Sequence, residues 1–315
     1  MPERTTARAP RRRVNRIPAA LRRAPLLITL TALSLALPAT ASAGLFGPES
    51  GGSPNADRIA DLYWIIFAIA LVVFVVVEGA LIYSLIKFRA RKGAVAAQIR
   101  GNTRLEIGWT VGAAVILVAL AVVTFIKLPG IRTPDNSGPN GIELADGALL
   151  AASPTKELPP NGKSLNICVN GQQYVWRFTY AADCKRNDFK APFAYTTMVV
   201  PTDTTVTLDI TGQDVIHSWW IPELGGKMDA TPGYFTHTWF KVPASKAGST
   251  FRGQCAELCG RNHADMVAYV KAVEPAEFEA WLDQREQDIK AANDAAQEQR
   301  KEFEGADDTV DSESD

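Results

Sequence analysis

Residues 255 to 266 read CAELCGRNHADM, and Cys255, Cys259, His263 and Met266 place four soft side chains in one short segment. The whole chain has only four cysteines and three histidines, so this concentration asks for a chemical reason. The spacing, C-x3-C-x3-H-x2-M, suits a tight loop folding its ligands around one point. A second imidazole, His217, stands in DVIHSWW. Thiolate, imidazole and thioether together favour copper, because soft sulfur selects Cu(I) and a weak methionine marks copper electron-transfer sites. A single blue-copper ion needs one cysteine. Two thiolates with two imidazoles suit two copper ions bridged by both sulfurs, with one terminal histidine on each. Sharing an electron over two ions in a rigid cage keeps the redox change in geometry small. Two other readings of the same residues stay open: a Cys255–Cys259 disulfide, if the loop lies outside the cytoplasm, and a zinc site of two cysteines and two histidines. His217 alone also reads as a satisfied core histidine.

Such a loop needs a compartment and a scaffold. Eight arginines between Arg4 and Arg23 precede the apolar run PLLITLTALSLALPA and then ASA at Ala41–Ala43. A basic start, a short apolar core and small residues at the cut predict a secretory signal over 1–43, with Gly44 as the new N-terminus. Its apolar core is too short to span, and Pro38 interrupts it. A short outer segment, 44–61, follows. Two later runs are long enough: Leu62–Ile86 with the single charge Glu78, and Ile107–Ile126 with none. The connector 87–106 carries Lys87, Arg89, Arg91, Lys92, Arg100 and Arg104 against Glu106 alone. Positive charge is retained in the cytoplasm, so a transmembrane hairpin over 62–128 turns inside and sends the rest of the chain outward. Glu78 is costly in lipid and should face protein or water.

A Pro, Gly and Ser-rich linker over 129–163 leads to a segment, 164–274, long enough for one modest core. TTVTLDIT alternates Val206, Leu208 and Ile210 with polar neighbours, and YVWRFTY alternates Tyr174, Trp176, Phe178 and Tyr180 with Val175, Arg177 and Thr179. Further short runs separated by Gly, Pro and Asp predict an all-β sandwich or barrel, and so a membrane-anchored α+β protein. The polar stretch 275–302 reads as a peripheral helix, and 303–315 as an acidic disordered tail. The net charge of −1 averages a basic loop and an acidic end, and gives no basis for nucleic-acid binding.

CAELCGRNHADM, DVIHSWWIPELGGKMDATPG and NTRLEIGWT together resemble subunit II of the haem-copper cytochrome c oxidases. The resemblance runs from the hairpin to about residue 275. It implies a cupredoxin-like Greek-key domain on the outer side of a bacterial cell membrane, with both mature termini outside. It implies a dinuclear copper centre, CuA, held by the side chains of His217, Cys255, Cys259, His263 and Met266 and by the backbone carbonyl of Glu257. The Glu257 carboxylate would reach a magnesium ion shared with subunit I. Glu106 matches a glutamate at the cytoplasmic mouth of a proton path; from the residues alone it is an acid in a first helical turn, favoured there by the helix dipole. Electrons would come from a cytochrome c, soluble or membrane-held, and leave for haem in subunit I, where oxygen is reduced to water. Partners would be subunit I, other oxidase subunits and membrane lipid.

The chain departs from that pattern in places. Tyr174 stands where many relatives carry the tryptophan that receives electrons, with Trp176 as the next aromatic, and the acids Asp183 and Asp188 follow nearby. Tyr234 stands where an arginine is frequent. No C-x-x-C-H occurs, so the donor haem belongs to another protein. Cys168 and Cys184 match no ligand pattern and are expected to pair with each other across neighbouring strands. Three other readings are weighed. A quinol oxidase subunit would lack the copper ligands, a nitrous oxide reductase would add a propeller, and a membrane-anchored copper carrier or structural metal module would need no haem-bearing partner.

Overall fold

The computed structural model describes residues 46–90, 93, 95, 97–142, 157–181, 184 and 191–312. The expected signal over 1–43 lies outside them, as do parts of the basic connector and linker.

Helix α1 spans Pro54–Lys87. Ser53 caps it in extended backbone, its Oγ accepting from the Asn55 N–H, while Pro54 fits the first turn, where no N–H is needed. Helix α2 spans Thr103–Arg132, capped by the Asn102 side chain accepting from the Leu105 N–H. Both helices are longer and more apolar than a bilayer crossing requires, with side chains exposed along most of their length.

Both helices outrun the expected spans of Leu62–Ile86 and Ile107–Ile126 at the same end, and the linker correspondingly starts later than residue 129. Burial against the β domain explains this. Asn55, Ala56 and Ala60 are buried. Asn55 Nδ2 donates to the Trp239 carbonyl at 3.0 Å, and Ser53 Oγ accepts from the Lys241 N–H at 3.2 Å. Pro129 lies inside α2, in its last turn, where it lacks the N–H that would bond the Phe125 carbonyl, while its own carbonyl accepts from the Thr133 N–H at 2.9 Å. Arg58 donates to the Gly130 carbonyl, and Trp239 Nε1 donates to the Ile131 carbonyl at 2.9 Å. Arg58 also grips both oxygens of Asp135, at 2.8 and 2.9 Å.

The described residues of the β domain form a five-stranded sheet, a three-stranded sheet and a two-stranded ribbon. The first has the order β3 (Phe193–Tyr195), β2 (Val175–Thr179), β1 (Leu165–Gln172), β5 (Thr205–Gly212), β8 (Thr236–Lys241). The second has the order β4 (Thr197–Pro201), β10 (Val267–Val273), β9 (Thr250–Gln254). The ribbon pairs β6 (His217–Trp219) with β7 (Met228–Ala230). β1 runs parallel to β5, and β4 parallel to β10, because the chain crosses between sheets rather than turning back within one. Leu165, Ile167, Trp176, Phe178, Leu208, Met198, Val270 and Ala272 are buried in one core shared by both sheets.

The alternation expected of β5 is only half of its environment. Thr205, Thr207 and Asp209 are buried as well as Val206, Leu208 and Ile210. Their polar groups are matched: Thr207 Oγ1 lies 3.0 Å from Ser164 Oγ, and Asp209 Oδ1 lies 2.6 Å from His237 Nδ1. A central strand covered on both faces can keep such residues only when they are hydrogen-bonded.

Cys168 on β1 is disulfide-bonded to Cys184, with Cα atoms 5.4 Å apart. Cys184 lies in the turn beyond β2 rather than on a neighbouring strand. Helix α3 spans Pro275–Ser312 and docks through Phe278 and Trp281, whose rings lie 6.0 and 5.0 Å from that of Tyr180. It continues past residue 302, so the segment expected to be a disordered tail is helical as far as Ser312. No proline interrupts the stretch, and once a helix is nucleated each further residue adds a hydrogen bond at little cost.

Candidate metal centre

Two strand ends and one loop assemble the centre. β9 delivers Cys255, and Met266 stands just before β10. The Cys255 N–H donates to the Met266 carbonyl at 2.9 Å, so the β9–β10 ladder pins both ends of the loop. The Ala256 N–H donates to the Ser218 carbonyl at 2.8 Å, tying the loop to β6 and so to His217. A single 3-10 turn, His263–Asp265, brings the second imidazole back.

The donor atoms converge. His217, Cys255 and Cys259 offer ligand atoms that all lie within 4.8 Å of one another. The two Sγ atoms are 3.9 Å apart, and the two cysteines are not bonded to each other. Cys255 Sγ lies 3.9 Å from His217 Nδ1 and 3.2 Å from the Glu257 carbonyl oxygen. Cys259 Sγ lies 3.4 Å from His263 Nδ1 and 3.8 Å from Met266 Sδ. Each sulfur thus has its own imidazole, and each half has one weaker donor. Burial is graded: His217 and Met266 are fully enclosed, Cys255 and Cys259 nearly so, and His263 is half-exposed.

Electrostatics prepare the site for a cation. Burial pushes the Cys259 thiol up to about 11, and the neighbouring Cys255 adds to the shift. Without a cation the Cys259 thiol resists ionising, so a metal must displace its proton as it binds. On the far side of the first imidazole, Asp214 Oδ1 lies 2.8 Å from His217 Nε2. Partial burial pushes the Asp214 carboxyl up, but N–H groups of Gln173, His217 and Val215 donate to it and hold it below the usual carboxylate range. A carboxylate on the outer nitrogen fixes the tautomer that leaves Nδ1 free as a ligand. Asp214 and Gln173 escaped the sequence reading. The signal for the first was an acid three residues before His217.

Two glycines lie where neighbours approach closely. A Cβ on Gly171 would meet Trp176 at 3.0 Å and His217 at 3.1 Å. Gly260 has φ +133°, and a Cβ there would meet the Tyr174 hydroxyl at 2.6 Å.

The remaining candidates separate. Tyr174 is partly exposed over the loop, its hydroxyl accepting from the Arg261 N–H at 3.0 Å. Trp176 is fully buried beneath, its ring edge-on to His217 at 5.9 Å between centroids. The Glu257 side chain is exposed. Glu106 lies at the opposite end of α2, whose 30 residues span about 45 Å. Its carboxylate accepts from the Asn102 N–H at 3.2 Å, completing a reciprocal cap. Glu78 is half-buried in the groove between α1 and α2, among Val73, Val77, Ile116 and Leu120. Tyr234 is exposed.

Comparison with known proteins matches two family models. Residues 178–273 match "Cytochrome C oxidase subunit II, periplasmic domain", and residues 41–126 match "Cytochrome C oxidase subunit II, transmembrane domain". Cytochrome c oxidase subunit 2 of Cereibacter sphaeroides is 32% identical over 254 residues, covering 75% of this chain and 81% of that one. That of Alkalihalophilus pseudofirmus is 32% identical over 232 residues, 73% of this chain, and the matched part spans 59% of the relative's length. Among solved structures, the periplasmic domain of subunit II of cytochrome oxidase from Bradyrhizobium japonicum is 31% identical, covering 40% of this chain and 97% of that one, with a TM-score of 0.36.

Proposed function

Since this chain belongs to the family of cytochrome c oxidase subunit II, a part of an oxidoreductase complex, we propose that it is the electron-input subunit of an aerobic terminal oxidase. It takes electrons from a cytochrome c at a dinuclear copper centre and passes them to haem in subunit I for reduction of oxygen to water. The observation that carries this reading is the donor set: two thiols, two imidazoles, a thioether and a carbonyl around one small volume. A lone zinc ion needs four ligands. Six donors arranged as two similar halves exceed that number and would suit a pair of ions.

When bound, the copper pair supplies one-electron redox chemistry with little change of shape. The chain's residues hold that shape. Cys255, Cys259, His217, His263, Met266 and the Glu257 carbonyl would hold the metal. Asp214 orients the first imidazole, and the shared core excludes water from all but the His263 edge. Tyr174 offers the donor an aromatic surface above the loop, with Trp176 behind it.

The two apolar helices anchor an outer domain in the membrane. The basic connector, facing the cytoplasm by the charge rule, puts the copper domain and both mature termini outside. The exposed apolar faces of α1 and α2 meet lipid and the other oxidase subunits. Glu106, at the cytoplasmic end in that orientation, opens the proton path, and its cap to Asn102 sets its place.

Purifying the membrane complex through this chain tests the reading. A haem-bearing subunit is expected to copurify, and reduced cytochrome c is expected to be oxidised at the expense of oxygen. A complex that oxidises only quinol, or a chain that copurifies with no haem protein, would overturn it.

The Glu257 side chain has a different task from its carbonyl. The carbonyl faces Cys255, while the exposed carboxylate is free to serve a magnesium ion at the subunit I boundary. Glu257→Gln is therefore expected to leave the copper content unchanged and to lower the affinity of the oxidase for magnesium or manganese by about 10-fold or more. Metal analysis and manganese titration decide it. Copper loss as deep as in Cys255→Ser would make the side chain itself a copper ligand.

A further inference from the structure

The loop between Cys259 and His263 is held from outside by two consecutive residues that carry no metal. Gln173 Nε2 donates to the Cys259 carbonyl at 2.6 Å. The hydroxyl of the next residue, Tyr174, accepts from the Arg261 N–H at 3.0 Å. The backbone N–H of Gln173 donates to Asp214 Oδ2 at 2.7 Å, and Asp214 in turn holds His217 through its other oxygen. Thus residues 173 and 174 touch both ligand-bearing segments: the DVIH turn through one backbone bond, the cysteine loop through two side-chain bonds. Gly260 sits between the two attachment points, and its bare backbone is what lets the Gln173 amide and the Tyr174 hydroxyl reach past it.

We infer that Gln173 and Tyr174 form a clamp that fixes the Cys259–His263 segment against the His217 segment, so that the half of the site nearer solvent stays shaped for its metal. The inference rests on the metal-site reading above but goes beyond it. These are positioning residues in this role. The cysteine loop needs such help because it lacks repetitive structure over most of its length. The β9–β10 ladder pins only its two ends, at Cys255 and Met266, and Gly260 and Arg261 lie between. A ring at position 174 cannot do this alone. The bond requires an acceptor, which a tyrosine hydroxyl offers and an indole N–H does not.

The test uses the full chain in detergent, with the variants Gln173→Leu, Tyr174→Phe and Tyr174→Trp. In the copper-free chain, the labelling of Cys255 and Cys259 by N-ethylmaleimide is timed at fixed pH. Each variant is expected to label about threefold faster, the scale of one net hydrogen bond, and Gln173→Leu with Tyr174→Phe about tenfold faster. In the copper-loaded chain, the same variants should surrender copper to a chelator faster by similar factors, and the electron paramagnetic resonance spectrum should show unequal sharing between the two ions. Tyr174→Trp keeps a large ring and so separates the loss of the acceptor from the loss of packing. Parental labelling and parental copper retention in both Tyr174→Trp and Gln173→Leu would overturn the clamp. A parent chain that never takes up two coppers would sink the metal-site reading instead, and thiol labelling of the metal-free chain would still decide the clamp.

Discussion

Cys259→Ser is expected to leave the purified oxidase with one copper or none per chain in place of two, and to lower cytochrome c oxidation by roughly 100-fold or more. Cys259 ties the two halves of the site together. Its sulfur lies 3.9 Å from Cys255 Sγ, 3.4 Å from His263 Nδ1 and 3.8 Å from Met266 Sδ, so its loss removes a bridge and uncouples two further ligands. A serine hydroxyl is hard and poorly acidic and does not replace a thiolate toward copper. In the parent, one unpaired electron should be shared equally by two coppers, and the signal should vanish or collapse to a single ion in the variant. Replacing Cys168 and Cys184 together makes the contrast. Their disulfide closes a separation of 16 residues and its loss should cost about 3 kcal/mol of stability, with the copper content retained. A parent that holds a single copper, or zinc in preference to copper, would defeat the dinuclear reading, as would a Cys255–Cys259 disulfide in functional membranes.

The second large effect concerns how electrons arrive. Tyr174→Leu is expected to slow electron uptake by on the order of tenfold, about 1.4 kcal/mol on the barrier, with little change in cytochrome affinity. The reason is position. Tyr174 is the partly exposed aromatic bonded to the cysteine loop, and Trp176 is the next one in, fully buried with its ring against His217. Trp176→Leu should behave differently, lowering stability by about 3 kcal/mol through the cavity it leaves, and disturbing His217 as well as transfer. Stopped-flow reduction by cytochrome c separates the two, with a thermal melt as control. If Tyr174→Leu turns over like the parent while Trp176→Leu does not, the input route runs through the tryptophan. The acids expected to steer a basic donor, Asp183 and Asp188, lie outside the described residues. Neutralising both should weaken association and flatten its salt dependence, since exposed charges are screened over about 8 Å at physiological ionic strength.

The candidate donors were legible in the sequence because four of the five side chains sit in one twelve-residue loop, and soft donors are rare elsewhere in this chain. The hairpin was legible because hydrocarbon disfavours charge, so two long apolar runs with the single charge Glu78 and a basic connector leave few alternatives. The short alternating runs gave the β class for a similar reason, since period two survives wherever one face is buried.

Other features became visible only in three dimensions. The helices run past their apolar cores because Ser53, Asn55 and Arg58 at the start of α1, and Gly130 and Ile131 at the end of α2, find partners on the β domain or on each other. No local pattern encodes such distant bonds. β5 is covered on both faces, so its polar residues are buried against Ser164 and His237 rather than wetted. Tyr174 and Trp176 are two residues apart and looked interchangeable. The fold puts one at the surface over the cysteine loop and the other against the far imidazole, depths that depend on which segments cover each side chain. Asp214 and Gln173 were ordinary polar residues until the β1–β2 turn met the DVIH segment and the cysteine loop. Sequence composition and spacing determined which atoms could bind a metal; the crossing of distant strands decided which residues hold those atoms in place.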